Sequence, residues 1–351
     1  MNIAYYVSGH GFGHISRSYE VIKYFLEKEE NCRIFVNTTR KDFVKEQRER
    51  LFFRDVAVDV GMVQLTSISL DVSKTLEAIF EFEKEKSNLV EKEISFLQEE
   101  KIDCIISDSS SLPFVFAAKL NLPSYFLGNF TWDFIYQNYV KNNSYFQKYS
   151  NDLREEYALC KLGFILPFHC PMDSILRKKN IGIIGRNSFL EREEIRRLIG
   201  FSPEIEYFLF SFGAYGISAK FHFENLQENQ RIVVSGYEGL TGEKILDIKN
   251  FAYPDIVKAC DYVLTKPGYG ILSETYYAKT PVIYTDRGDF AEYSYLVQAL
   301  ETYHYSAYIP QNDLLLFSLE KAKNKIEYQK KIKSIPLLRD GREEIYQEIF
   351  L

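Results

Sequence analysis

An apolar run, a glycine-rich turn and an amphipathic stretch follow one another at the start of the chain, and this order constrains the fold more than any other feature. The run Ile3–Val7 predicts a strand, the glycines at 9, 11 and 13 a tight turn, and the residues after them a helix. The free N–H groups and positive dipole end of that helix would face the turn. We therefore expect a ligand site here, with His10 and His14 at its mouth.

His14 occupies the position at which the dinucleotide fingerprint G-x-G-x-x-G has its third glycine. The departure weakens an oxidoreductase interpretation. An imidazole at the start of a helix suits general-base catalysis near neutral pH. The alternative is a histidine that only caps the helix or packs on the sheet.

Composition limits the class of protein. A chain of 351 residues with 46% hydrophobic residues predicts a globular protein of two domains. A net charge of −6 argues against a general nucleic-acid binder, whose affinity would come from a basic surface. Five widely spaced cysteines indicate reduced thiols rather than disulfides or metal ligands. With no leader pattern and no apolar run approaching ~18 residues, we expect a soluble cytoplasmic protein without a transmembrane segment.

Apolar runs alternate with amphipathic stretches in both halves, which predicts an α/β fold of two Rossmann-like, doubly wound parallel-sheet domains. The run 102–108 is a predicted buried strand that ends at Asp108, close to the glycine turn. A further strand is predicted over 55–63. Prolines and glycines between 166 and 185 indicate a domain boundary, so we place the first domain at 1–168 and the second at 180–335.

An aromatic stretch from Gly128 to Tyr136 contains the only tryptophan. Rings beside amide and carboxylate groups could bind a sugar acceptor, although a packed aromatic corner of the core explains them equally well. The acceptor-side candidates, which include the two residues between the glycines of the first turn, are His10, Phe12, Asn129, Trp132 and Asp133.

The second half repeats the strand, glycine turn and helix over 261–274. Two glycines at a helix N-terminus beside a lysine would bind a diphosphate, and a glutamate one turn later could accept hydrogen bonds from a ribose diol. A carboxylate-rich loop over 286–292 suits sugar hydroxyls. The donor-side candidates are Gly213, Lys266, Gly268, Tyr269, Gly270, Ser273, Glu274, Asp289 and Glu292.

These motifs resemble two-domain GT-B glycosyltransferases of the inverting kind, which include the peptidoglycan GlcNAc transferase and the plant UDP-glycosyltransferases. His14 matches the catalytic histidine of the family's Gly-His-x-x-Pro loop, with Arg17 where proline is usual. Asp108 matches the aspartate that orients the histidine. Lys266 stands where the plant enzymes carry a phosphate-binding histidine. Asp289 and Glu292 fall near the sugar-contacting acid and amide.

The chain also resembles the glycosyltransferase-like N-terminal domain of plant L-arabinokinases and its bacterial relatives. The shared features are the stretches 10–14, 129–136 and 268–270, with Ser273 and Glu274.

The resemblance implies a GT-B fold with an interdomain cleft, and a C-terminal helix within 336–351 that returns to the first domain. It implies a UDP-sugar as substrate, no separate cofactor and no metal, with His14 and Asp108 as the catalytic pair. The acceptor would be a carbohydrate, a lipid-linked sugar or a small molecule. Two alternatives stay open: a non-hydrolysing nucleotide-sugar epimerase, and a protein that binds a sugar nucleotide without turning it over.

Overall fold

The computed structural model describes residues 1–40, 49–66, 69–213, 221–222, 225–237 and 239–351. Two compact units divide the chain: one comprises Met1–Val63, Asp71–Gly185 and Leu338–Leu351, and the other Gln64–Leu70 and Arg186–Leu337.

The strands are, in chain order, β1 Asn2–Val7, β2 Arg33–Asn37, β3 Leu51–Arg54, β4 Gln64–Thr66, β5 Ser69–Leu70, β6 Cys104–Asp108, β7 Ser124–Gly128, β8 Leu162–Ile165, β9 Lys178–Asn180, β10 Glu206–Ser211, β11 Gln230–Val234, β12 Ile245–Asp247, β13 Tyr262–Thr265, β14 Val282–Tyr284 and β15 Ser306–Tyr308. The helices are α1 Phe12–Lys28, α2 Val72–Glu99, α3 Leu112–Leu120, α4 Trp132–Gln137, α5 Tyr145–Ala158, α6 Arg192–Ile199, α7 Tyr253–Ala259, α8 Tyr269–Ala278, α9 Tyr293–Tyr303, α10 Gln311–Leu315, α11 Glu320–Ile332 and α12 Gly341–Phe350.

The N-terminal unit is built on a parallel seven-stranded sheet in the order β3-β2-β1-β6-β7-β8-β9. Alternate residues of β1 enter two cores: Tyr5 packs in the cluster that contains Phe25 of α1, and Tyr6 in the cluster that contains Phe116 of α3. Both faces are therefore covered, as the sequence predicts for a doubly wound sheet. The chain reverses its winding direction between β1 and β6, where Val7 lies opposite Asp108.

The second unit repeats this design with a parallel six-stranded sheet in the order β12-β11-β10-β13-β14-β15. Leu209 packs on the face that holds Ile195 of α6, and Phe210 on the face that holds Ile326 of α11. The winding direction reverses between β10 and β13. The two predicted glycine turns thus follow strands at the reversal points of their sheets, where open α/β sheets bind ligands.

The last helix belongs to the N-terminal unit. The ring of Phe350 lies edge-on to Phe25 of α1 with 5.1 Å between centroids, and the Tyr346 hydroxyl donates to Glu29 at 2.5 Å. A backbone bridge joins Ile183 to Asp340. At this crossing a Cβ on Gly182 would lie 2.0 Å from the carbonyl oxygen of Arg339, so only glycine fits there.

Two details differ from the sequence-based expectations. The boundary between units falls after Gly185 rather than between 168 and 180, because β9 pairs with β8 and extends the first sheet. Residues 55–63 form a loop and not the predicted strand, since β3 already ends at Arg54.

All five cysteines are buried free thiols. Within the described ranges, no helix combines the length and apolar character that a membrane span requires.

Candidate active site

His14 lies in the first turn of α1, directly after the glycine turn. Gly11 precedes the helix with φ of 79°, in the left-handed region that favours glycine. His14 is 7% exposed, and its imidazole packs edge-on against Phe130 with 5.7 Å between ring centroids. The glycine turn therefore places the start of α1, and with it the His14 imidazole, at the carboxyl edge of the sheet.

Asp108 ends β6 beside that helix, and the structure brings it together with His14. The distance from His14 Nδ1 to Asp108 Oδ1 is 2.8 Å, and the carboxylate is fully buried. With the Nδ1 proton donated to Asp108, the Nε2 lone pair is left to accept a proton from a ligand. This is the geometry of a histidine oriented by a carboxylate.

Arg17, one helical turn after His14, contacts both members of the pair. The sequence did not predict this cation. Its Nε donates to Asp108 Oδ2 at 2.7 Å and its Nη2 to Oδ1 at 2.6 Å, while Nη1 donates to Asn129. Burial acts to raise the pKa of Asp108, but the charge and hydrogen bonds of Arg17 and His14 outweigh it and hold that pKa far below its usual range. Asp108 is therefore an anion throughout the physiological range.

Arg17 Nη2 also lies 3.1 Å from His14 Nδ1. A guanidinium only donates, so it competes with Asp108 for this nitrogen: Asp108 requires Nδ1 protonated, and Arg17 requires it bare. The shorter 2.8 Å contact with Asp108 and the attraction between an N–H and an anion favour the first arrangement.

Asp59 is a second acid near the histidines that sequence reasoning missed. It accepts from Trp132 Nε1 at 3.0 Å and from the Ser110 hydroxyl. Burial raises the pKa of Asp59 above its ordinary value, against hydrogen bonds from Ser110, Ser8 and Trp132 and the charge of His14. It lies in the loop that was predicted to be a strand, so no local pattern marked it.

Three of the predicted acceptor residues are buried in the N-terminal unit. Trp132 is 3% exposed, Asp133 3% and Asn129 4%. Asp133 accepts from the Ser174 hydroxyl at 3.0 Å, and Asn129 binds Arg17 and the carbonyl of Pro167. These contacts replace the expected sugar platform with a packed scaffold under the His14 pair, which is the alternative that the sequence left open.

The two remaining acceptor candidates lie in the glycine turn. The ring of His10 stands edge-on to Trp132 at 5.2 Å, and a Cβ on Gly61 would lie 2.6 Å from His10 Nδ1. Phe12 is 39% exposed, with the guanidinium of Arg40 4.2 Å from its ring centroid. Phe12 is thus the aromatic ring of this set that faces outward.

In the second unit, the turn between β13 and α8 carries the predicted donor residues. Gly268 is the N-cap of α8 and has no side chain to bind the first N–H groups of the helix, whose N-terminus suits an anion. Burial and then the charge of Arg287 lower the pKa of Lys266 to about 7, against the opposing charge of Glu292. Gly213, after β10, adopts φ of 70°, the left-handed conformation.

Glu274 and Glu292 are both engaged with arginines. Arg186 donates from Nε to Glu274 Oε1 at 2.7 Å, and Nη2 lies 2.5 Å from the same oxygen. Arg287 Nη1 donates to Glu292 Oε1 at 2.7 Å. The sequence prediction of ribose and sugar contacts therefore applies to carboxylates that already have an arginine partner.

The other donor candidates differ in exposure. The Ser273 hydroxyl donates to the carbonyl of Tyr269 within α8 at 2.9 Å. Gly270 is half-buried in the first turn of that helix, and Asp289 is exposed in the loop after β14. Over the described ranges, no three histidine, cysteine or acidic residues are grouped to hold a metal ion.

Comparisons with known proteins agree with this architecture. Residues 1–161 match the family model described as glycosyl transferase family 1. The chain is 29% identical over 319 residues to L-arabinokinase from Arabidopsis thaliana, covering 89% of this chain and 31% of that protein. It therefore spans about a third of the length of this relative.

Two solved structures illustrate the fold. Arabidopsis thaliana UGT89C1 complexed with UDP superimposes with a TM-score of 0.62 at 13% identity, covering 100% of both chains. MurG of Acinetobacter baumannii gives a TM-score of 0.60 at 11% identity, covering 99% of this chain and 98% of that one. The chain accordingly has the two-domain GT-B fold of glycosyltransferases, and its N-terminal half matches glycosyl transferase family 1.

Proposed function

We propose that the protein is an inverting glycosyltransferase that moves a sugar from a UDP-sugar to an acceptor hydroxyl. The observation that carries this proposal is the buried contact of 2.8 Å between His14 Nδ1 and Asp108 Oδ1 at the reversal point of the first sheet. A carboxylate that orients an imidazole is the arrangement a general base requires.

In the proposed reaction His14 Nε2 removes the proton of the acceptor hydroxyl, and that oxygen attacks the anomeric carbon of the donor. The bond from the anomeric carbon to the β-phosphate oxygen breaks, and its electron pair leaves with UDP. Attack from the side opposite to the leaving group inverts the anomeric configuration. Asp108 stabilises the imidazolium that forms.

The second unit would hold the donor. The N-terminus of α8 and the ammonium group of Lys266 are suited to the charge that develops on the departing diphosphate. Since these groups supply the positive charge, we expect EDTA to leave the rate unchanged. The UDP complex of a protein with the same fold supports uracil as the base.

The test measures release of UDP from a panel of UDP-sugars in the presence of cell extract as acceptor source. His14→Ala should lower release by about 10²-fold or more while UDP binding stays intact, because a general base acts on the acceptor. Asp108→Asn should also lower the rate, since it disturbs the tautomer and orientation of the imidazole. His169→Ala, which removes an exposed histidine of the same unit, is the matched control.

Wild-type release by His14→Ala would place the base elsewhere. Conversion of the UDP-sugar to another sugar nucleotide without acceptor would favour the epimerase. Binding of UDP-sugars without turnover across the panel would favour a binding protein.

A further inference from the structure

Of the buried polar atoms that lack hydrogen-bond partners among the described residues, two lie close together in sequence just after β14. They are the hydroxyl oxygen of Thr285, a residue 1% exposed, and Nε of Arg287, a residue 8% exposed. An unsatisfied buried polar group is destabilising, and such groups in native proteins require an explanation. One explanation is a bound ligand that supplies the missing hydrogen-bond partners.

This loop lies beside the turn that follows β13. The backbone N–H of Thr285 donates to the carbonyl of Thr265 at 3.1 Å, and Thr265 directly precedes Lys266. The guanidinium carbon of Arg287 lies 4.1 Å from the ring centroid of Phe290, and Lys266 Nζ lies 5.8 Å from the same centroid. The lysine and the arginine therefore adjoin one ring.

Two cationic side chains and an acidic one interact at this loop. Lys266 and Arg287 are two cationic side chains, and Glu292 is the acid whose charge bears on Lys266. Glu292 is bound to Arg287 through Nη1 at 2.7 Å, which leaves Nε of the guanidinium unused. Burial with Arg287 nearby makes the protonated form of Lys266 costly, and an added anion would remove that cost.

We propose that Thr285, Arg287 and Lys266 form a binding site for an anionic group of the donor, which is either the β-phosphate or a carboxylate on the transferred sugar. The proposal rests on the proposed function and specifies the chemistry of its donor. Arg287 Nε donates a charge-assisted hydrogen bond to the anion, the Thr285 hydroxyl donates a second, and Lys266 supplies charge. Arg287 keeps Glu292 through its other nitrogen.

The test is calorimetric titration of wild-type protein and variants with pyrophosphate, UDP, UDP-glucose and UDP-glucuronate. Arg287→Gln should weaken binding of the anion by about tenfold or more, the loss of one charge-assisted bond. Arg197→Gln, which changes an exposed arginine of α6 in the same unit, should bind as wild type.

Thr285→Val guards against misfolding of Arg287→Gln. The Thr285 hydroxyl has no partner among the described residues, so its removal should not destabilise the free protein. Any weakening of binding by Thr285→Val, expected at about threefold or more, then reports on the ligand.

A further readout is the proton balance near pH 8. With its pKa at about 7, Lys266 is mostly neutral at that pH and should take up most of a proton when the anion binds. The heat of binding should therefore depend on the ionisation enthalpy of the buffer, and Lys266→Met should abolish that dependence.

The ligands separate the two sources of the anion. If the β-phosphate is bound, the variants weaken pyrophosphate, UDP and both UDP-sugars alike. If the sugar carboxylate is bound, they weaken UDP-glucuronate alone.

Unchanged affinity of both variants for all four ligands, with no proton uptake, would overturn the site even if UDP-sugars are turned over. Arg287-dependent binding of pyrophosphate without any binding of UDP would support the site and contradict the proposed function.

Discussion

Asp108 accepts from Arg17 at both carboxylate oxygens, at 2.7 and 2.6 Å, and one of those oxygens also lies 2.8 Å from His14. The buried Asp108 carboxylate thus contacts both the Arg17 guanidinium and the His14 imidazole. In the Gly-His-x-x-Pro motif that the sequence resembles, proline usually stands at the position of Arg17. The orientation of the His14 imidazole therefore depends on the ion pair between Arg17 of α1 and Asp108 of β6.

Removal of Arg17 should destabilise the N-terminal unit severely. Arg17→Leu leaves Asp108 buried without its cation, and breaking a buried pair on one side costs about 3–5 kcal/mol. Arg17→Lys should cost less, because it keeps the charge but loses the paired donors. Urea unfolding measures both; Arg177→Leu, at an exposed site, should stay within about 0.5 kcal/mol of wild type. Equal stability of Arg17→Leu and Arg177→Leu would contradict a stabilising ion pair.

Stability should fall on acidification because of Asp108. Its pKa is lowered in the folded protein, since Arg17 and His14 outweigh the effect of burial, whereas in the unfolded chain it returns to about 4. The unfolded state thus binds the proton more readily. The stabilisation is fully present above about pH 4 and is lost as the pH falls toward the folded pKa.

The measurement is the free energy of unfolding in urea between about pH 5 and about pH 3. Asp108→Asn should be less stable near neutral pH and should lose less stability on acidification than wild type. Parallel curves for the two proteins would show that Asp108 does not dominate the acid response.

We expect Glu274 to bind a ribose hydroxyl of the donor even though it already contacts Arg186. Arg186 contacts Oε1 of Glu274, and we expect the carboxylate to accept from a ribose hydroxyl as well. Glu274→Gln should weaken UDP about tenfold, and 2′-deoxy-UDP should bind wild type more weakly but the variant about as well as UDP. Calorimetric titration of both nucleotides into both proteins measures this coupling.

Equal affinity of wild type for UDP and 2′-deoxy-UDP would mean that Glu274 only holds Arg186. In that case Arg186→Leu and Glu274→Gln should both lower stability, because each removes the charge attraction between the two side chains.

Deletion of residues 342–351 should destabilise the N-terminal unit. These residues include Phe350 and Tyr346, whose rings pack on α1. Hydrogen exchange should show lost protection in α1 and β1, with α8 and β13 unaffected. Loss of protection confined to the second unit would contradict the packing of α12.

The fold followed from sequence because its signals are local. Apolar runs, glycine turns and amphipathic stretches each lie within about twenty residues, and they located His14, Asp108 and Lys266 at strand or helix ends. The loop 55–63 was predicted wrongly because its apolar residues imitate a strand. Asp59 in that loop was missed for the same reason.

The environment of each site side chain was less predictable, because it depends on residues distant in sequence. Arg17 meets Asp108 across 91 positions, and Arg186 meets Glu274 across 88. The burial of Trp132 and Asp133 is likewise set by packing, which no composition or spacing in 128–136 reveals. Sequence therefore located residues of the candidate site better than it assigned their roles.

The close backbone crossing at Gly182 has a consequence for synthesis of the protein. The partners of this glycine, Arg339 and Gly341, follow the whole of the second unit in the sequence. The second unit needs nothing beyond Leu337, so we expect it to fold while the chain is still being made. The N-terminal unit can thus complete its structure only after the second unit has been synthesised.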